Sequence, residues 1–234
     1  MASVILSVIM PVYNEARTIS EMVERVRRAP IDLPRELIVV DDASTDATPD
    51  VLQKIEADHR DEVHVFSHPT NRGKGAAIRT GIAQARGQII LIQDADLEYD
   101  PRDYPLLLEP ILEDQADVVF GNRFHGGPHR VLYFWHYAAN RFLTFLTNVL
   151  TGLNLSDMEV GYKVFRTDVL RRITLKSDRF GFEPEITVKI AQIGCRVYEV
   201  PIRYYGRTYA EGKKITWRDG LAALGHIIRF RFLD

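Results

Sequence analysis

Ile89-Ile-Leu-Ile-Gln-Asp94-Ala-Asp96-Leu-Glu98 is the stretch on which the reading of this chain turns. Four consecutive branched aliphatics fit a strand buried on both faces, too short and too β-branched for a helix. Carboxylates follow at Asp94, Asp96 and Glu98. In an extended backbone, residues i, i+2 and i+4 project to one side, so three like charges would crowd at the mouth of a buried strand. Repulsion and burial both penalise that arrangement. A hard divalent cation that favours carboxylate oxygen, Mg²⁺ or Mn²⁺, would relieve it. A solvated acidic loop is the plainer reading of an isolated Asp-x-Asp.

Upstream, the same pattern repeats. An apolar strand from Val4 to Met10 ends in Pro11-Val-Tyr13-Asn-Glu15, and a helix with Ile19, Met22, Val23 and Val26 on one face follows. Leu37-Ile-Val-Val40 is a second buried strand, closed by Asp41-Asp42, with Ser44 or Asp46 available to cap the next helix. Val63 to Phe66 is a short strand, and Asn71-Arg-Gly73-Lys74-Gly75 opens a third helix. Downstream come a helix begun by Pro101 and a strand from Asp117 to Phe120, followed by Gly121-Asn-Arg123. Strand and helix thus alternate through the first 121 residues with apolar strands, which predicts an α/β fold: a mainly parallel sheet with helices on both faces. In such sheets ligands bind beyond the carboxyl ends of the strands. The unusual polar residues fall on that one rim, which favours a functional reading of Asp94 and Asp96.

The bulk properties fit one large domain spanning 1–234: 234 residues, 46% hydrophobic, 26% charged. A net charge of −2 gives no field for nucleic acid. One cysteine, Cys195, precludes an internal disulfide and fits a reducing compartment. The N-terminal residues lack a basic segment and cleavage site, and no run of about 18 apolar residues occurs. The expectation is a soluble or peripheral protein of the cytoplasm, at most on the inner face of the membrane. In the second half, Trp135, Ala138, Ala139, Phe142, Phe145, Leu146 and Val149 share one helical face, and His136, Asn140, Thr144, Thr147 and Thr151 the other. The apolar face is expected to pack on the core, although its aromatic content also suits an apolar chain or a membrane surface. A short helix from Glu185 to Ile193, an alternating strand from Arg196 to Tyr205 and a last helix from Lys214 to Phe232 complete the chain.

On the rim, Gly73-Lys74-Gly75 at a helix start could offer backbone N–H groups and a cation to a phosphate, without being a Walker A loop. Its plainer reading is a helix start. Asp41 and Asp42 could hold a ribose hydroxyl or a base N–H, or cap the next helix.

Ser7 to Glu15, Val39 to Asp46, Asn71 to Ala77 and Gln93 to Glu98 together resemble the family 2 glycosyltransferases of GT-A fold. Gly121-Asn-Arg123, Gly181-Phe-Glu-Pro-Glu185, Glu199-Val-Pro-Ile202 and Gly206 to Lys214 are similar to the dolichyl-phosphate mannose synthase branch and its bacterial polyprenyl-phosphate relatives. The resemblance implies a Rossmann-like GT-A domain with a nucleotide-binding half (1–121) and an acceptor-binding half (122–234). It implies Pro11, Tyr13, Glu15, Asp41 and Asp42 around the nucleotide, and Asp94 and Asp96 as the Asp-x-Asp motif for metal and diphosphate. Glu98 would be a further metal ligand at a position where the branch often has Gln. Arg123 would face the acceptor phosphate, and Arg207 and Lys213 would close on the phosphates. Two departures stand out. Ala43 replaces a usual glycine in the second motif, so the turn there cannot use positive φ cheaply; Gly212 replaces a common serine.

The activity so implied is inverting transfer of a sugar from a nucleotide sugar (GDP-mannose or a UDP-hexose) to a polyprenyl phosphate, with Mg²⁺ or Mn²⁺ as cofactor. A lipid monophosphate is largely ionised at neutral pH and needs cations rather than a base. A hydroxyl acceptor would need a base, for which Asp157 is the candidate, its plainer role being a turn or cap. A non-catalytic nucleotide-sugar-binding subunit is the alternative of another class. His68 and His226 read as structural.

Overall fold

A computed structural model describes residues 5–124, 126–131, 133–179, 181–208, 211 and 217–233. Seven strands form one sheet: β1 (Leu6–Val12), β2 (Arg35–Asp41), β3 (Val63–Ser67), β4 (Ile89–Ile92), β5 (Val118–Asn122), β6 (Lys163–Arg166) and β7 (Val197–Pro201). Their spatial order is β3-β2-β1-β4-β6-β5-β7. All neighbours run parallel except β6, which is antiparallel to both β4 and β5. Residues from both halves of the chain therefore share one sheet.

The helices are α1 (Ile19–Arg27), α2 (Thr48–Asp58), α3 (Lys74–Gln84), α4 (Tyr104–Leu112), α5 (Phe134–Thr151), α6 (Thr167–Leu170), α7 (Phe182–Gln192) and α8 (Trp217–Phe232). The strand–helix alternation through β5 matches the pattern of apolar runs. Every side chain of β4 is buried, as are Leu6, Val8, Ile9 and Met10 of β1, because both faces of the sheet are covered. Gly81 of α3 lies so close to Ile9 of β1 that a Cβ there would collide with its side chain, which is why this helix carries small residues.

The chain runs outward from β1 through β2 to β3, then returns to place β4 on the other side of β1. That reversal opens a crevice between the carboxyl ends of β1 and β4, where open α/β sheets bind ligands.

Two features depart from expectation. β6 was not legible as a strand, since Lys163 interrupts a very short apolar run. More consequentially, α5 is inverted. Its buried residues are Asn140, Leu143, Thr144 and Thr147, whereas Trp135 (79% exposed), Phe142 (59%) and Phe145 (64%) face outward. The polar stripe is turned inward because it has partners there: Thr144 Oγ1 accepts from Met158 N (3.1 Å), and Asn148 both accepts from Leu155 N and donates to Leu155 O. Those bonds clamp residues 155–158 beneath the helix. α8 closes the other side, with Leu143, Met158, Ala223 and Ile227 forming a small separate core.

Candidate active site

The crevice collects most of the residues singled out in the sequence. β4 stops at Ile92, before the carboxylates, and Leu97 has a positive φ of 62°. The Asp94–Glu98 stretch is thus a turn and not an extended strand, so its acids are not set by strand alternation. Asp94 pairs with Lys74 of α3 (2.9 Å). Asp96 pairs with Arg207 (2.8 Å), whose guanidinium also lies 3.3 Å from Glu15 and 3.4 Å from Glu98. Glu98 is further occupied: it accepts from Arg207 N (2.9 Å) and Tyr204 OH (2.8 Å), pinning residues 204–207 against the turn. Burial, with the charges of Glu98 and Asp94, pushes the Asp96 carboxyl up to about 7. Without the two cations this corner would repel itself.

Among the described residues no three His, Cys, Asp or Glu side chains converge as a ready metal cage. Mg²⁺ and Mn²⁺ nevertheless need only one or two protein carboxylates when waters and phosphate oxygens complete the shell. Asp94 and Asp96 suit that donor set, and the crowding around Asp96 shows a demand for positive charge that Arg207 meets here. Glu98, committed to Tyr204 and Arg207, is a poor third ligand.

Asp41 ends β2 and Asp42 follows it, both buried. Neither caps α2. Asp41 Oδ1 accepts from Ser44 N (3.2 Å) and Oγ (2.5 Å), closing its own turn, in which Ala43 does sit at a positive φ of 59°. Asp42 accepts from Arg72 N (2.9 Å), Gly73 N (2.6 Å) and His68 Nδ1 (2.7 Å), and His68 continues to Thr80 (2.9 Å). The carboxylate of Asp42 therefore takes the N–H of Gly73 that an incoming anion would have used. Gly73 (φ 99°) and Gly75 are glycines because the 177–179 segment crosses them at contact distance. Lys74 of this motif points its charge at the crevice, where it pairs with Asp94. Pro11 is half-buried and Tyr13 exposed at the end of β1; Lys213 lies outside the described residues.

Arg123, just beyond β5, makes a two-pronged pair with the fully buried Asp157: Nε to Oδ2 and Nη2 to Oδ1, both 2.6 Å. Asp157 also accepts from Arg123 N (3.2 Å) and from Asn140 Nδ2 of α5 (3.0 Å). Burial would lower the Arg123 pKa, but the Asp157 charge more than reverses this, and the guanidinium stays protonated. It lies 5.1 Å over the Tyr204 ring and 5.4 Å over that of Phe124. Both Asp157 oxygens are thus engaged, and its role here is to orient Arg123.

Sequence reasoning missed a buried charged cluster beside Asp94. Lys74 also bridges to Glu183 (3.0 Å) at the start of α7. Lys163 is fully buried, donates to the carbonyls of Met158 (3.0 Å) and Val160, and sits 4.6 Å over the Phe120 ring. Burial lowers its pKa to about 8. Burial first, and the neighbouring Glu183 next, raise the Glu159 carboxyl to about 7. No spacing rule flags these residues, because three segments distant in sequence supply them.

The profile of Glycosyl transferase family 2 matches residues 7–174. A dodecaprenyl-phosphate galacturonate synthase of Rhizobium johnstonii is 30% identical over 213 residues, which are 89% of this chain but 61% of that protein. An undecaprenyl-phosphate mannosyltransferase of Micrococcus luteus is 34% identical over 217 residues, covering 88% of this chain and 85% of that one. Among solved structures, glucosyl-3-phosphoglycerate synthase of Mycobacterium tuberculosis bound to uridine diphosphate superposes with a TM-score of 0.75 at 20% identity, across 100% of this chain and 82% of the other. The sheet is that of the GT-A fold, and the chain belongs to glycosyltransferase family 2.

Proposed function

We propose that this protein moves a hexosyl group from a nucleoside-diphosphate sugar to a polyprenyl monophosphate at a membrane surface. The carrying observation is the Arg123–Asp157 pair, a buried guanidinium fixed in two directions at the crevice. A phosphate acceptor, already ionised, requires such a cation and no base. With both oxygens of Asp157 held by Arg123 and Asn140, that carboxylate is not free to serve as the base for a hydroxyl acceptor. The names of the Rhizobium and Micrococcus relatives favour the same acceptor class.

In this reading Asp94 and Asp96 hold a divalent cation and the donor diphosphate, while Glu15, Asp41 and Asp42 shape the nucleotide end. Gly73 contributes through the turn that Asp42 fixes, and Tyr13 and Pro11 flank the base. A bound Mg²⁺ or Mn²⁺ would offset the charge that builds on the leaving diphosphate. Lys74 and Arg207, now paired with the carboxylates, are placed to meet the same phosphates. An acceptor phosphate oxygen held by Arg123 attacks the anomeric carbon, the bond to the diphosphate oxygen breaks, and the configuration inverts.

The outward face of α5 gives the lipid a place to lie. Trp135, Phe142, Phe145 and Val149 are exposed on it. The sequence from Val118 to Ser156 holds no acid, and the exposed Arg141 of the same helix adds a cation suited to an anionic bilayer surface. No described helix is long and apolar enough to cross a membrane.

The test pairs polyprenyl phosphate with the matching polyprenol, using UDP- and GDP-hexoses and Mn²⁺. Product from the phosphate alone, lost on removing Arg123, is expected. Equal glycosylation of the polyprenol, or of a soluble glycan hydroxyl, would overturn the assignment.

A further inference from the structure

The transferred sugar is bonded to the donor diphosphate at one side and attacked by the acceptor phosphate from the other. It must therefore lie between Asp94 and Arg123. One loop runs between those two groups. It begins at Asp157, which holds Arg123, and reaches Gly161, where a Cβ would collide with Asp94 Oδ2. Glu159 stands midway along it, and its Oε1 is buried without a hydrogen-bond partner. Glu183, only 5% exposed, reaches the same region through Lys74, which it shares with Asp94; its Oε2 is likewise buried without a partner.

Two carboxylate oxygens withdrawn from water and left without donors are costly unless a ligand supplies them. Once ionised, as Glu159 is above its pKa of about 7, a carboxylate oxygen only accepts, so the missing groups are O–H or N–H donors. Sugar hydroxyls are such donors, and the sugar is what belongs between Asp94 and Arg123. The cations nearby are already committed: Lys74 to Asp94 and Glu183, Lys163 to two backbone carbonyls, Arg123 to Asp157.

Resting on the glycosyl-transfer reading above, we propose that Glu159 and Glu183 receive hydroxyls of the transferred sugar and select a neutral hexose over a uronic acid. A uronate would bring a further carboxylate to a cluster in which Asp94, Asp157, Glu159 and Glu183 already outnumber Lys74, Arg123 and Lys163, and like charges so placed repel. The chain would then differ in donor from its relative named for galacturonate.

Calorimetric binding with Mn²⁺ tests this, using UDP, UDP-glucose and UDP-glucuronate beside GDP, GDP-mannose and GDP-mannuronate. The neutral donor should bind at least about tenfold more tightly than its uronate counterpart. Glu159→Gln should narrow that ratio about tenfold while leaving the nucleoside diphosphate alone within about twofold. A wild-type protein that binds the uronate donor as well as the neutral one overturns the proposal even if the variant does not fold. An unchanged ratio in a folded Glu159→Gln variant also overturns it. If neither UDP nor GDP binds, the glycosyl-transfer reading itself fails and this proposal falls with it.

Discussion

Asp157→Asn separates the two roles open to this carboxylate. In the folded protein Asp157 is fully buried and accepts both arms of the Arg123 guanidinium at 2.6 Å, while the Arg123 side chain is 13% exposed. An amide keeps one acceptor oxygen but presents N–H groups to the second arm and removes the charge. A buried cation stripped of its partner costs about 3–5 kcal/mol, and the retained acceptor places this variant near the lower end. For a chain of this length about 3 kcal/mol corresponds to a Tm drop of roughly 6–12 °C, readable by calorimetry. Arg123 would lose its fixed aim, so KM for polyprenyl phosphate should rise about tenfold or more while the nucleotide affinity is kept. A companion double variant, Arg123→Met with Asp157→Leu, should recover most of the stability, because apolar groups of similar size replace a buried pair well. It should not recover acceptor binding. If Asp157→Asn instead leaves Tm and KM unchanged and lowers kcat about a thousandfold, the carboxylate is a base and the phosphate-acceptor argument collapses.

Arg207→Ala removes the cation that bridges Asp96, Glu98 and Glu15. Mn²⁺ affinity without nucleotide, followed by the paramagnetic resonance of free Mn²⁺, should rise about tenfold as repulsion returns, and nucleoside diphosphate affinity should fall; no change in Mn²⁺ affinity would remove Arg207 from the site. The Glu159 carboxyl, raised from 4.5 to about 7, favours the folded state fully below pH 4.5 and loses that contribution as pH rises through 7. At most roughly 3 kcal/mol is involved, and Glu159→Gln should flatten the fall in Tm between pH 5 and 8; parallel profiles would count against the shift. Ala43→Gly should raise Tm by about 2–4 °C, since a non-glycine residue at φ 59° costs about 1 kcal/mol, and a lower Tm would show that the alanine methyl packs usefully. Trp135→Ser with Phe142→Ser should abolish co-flotation with anionic vesicles at unchanged Tm and donor affinity; retained flotation would place lipid contact elsewhere.

Much of this molecule was written in local pattern. Apolar runs of four to seven residues such as Ile89–Ile92, separated by amphipathic helices, specify parallel strands buried on both faces, because that burial needs no knowledge of the neighbours. The polar residues at the ends of those strands then mark the rim without coordinates. What tertiary structure decided were pairings between distant segments. Strand alternation would set the acids of Asp94–Glu98 on one face, yet the strand ends at Ile92, and Asp94 pairs with Lys74 while Asp96 and Glu98 share Arg207. Asp42 and Gly73 each had a reading of their own until the fold spent them on one another. Helical periodicity divided α5 correctly into two faces but could not say which faced inward. That depended on Leu155, Asp157 and Met158 offering hydrogen-bond partners to Asn148, Asn140 and Thr144. The hydrophobic effect has no direction of its own. A helix whose polar stripe finds partners inside leaves its aromatic stripe outside, and only the assembled chain determines whether those partners are there.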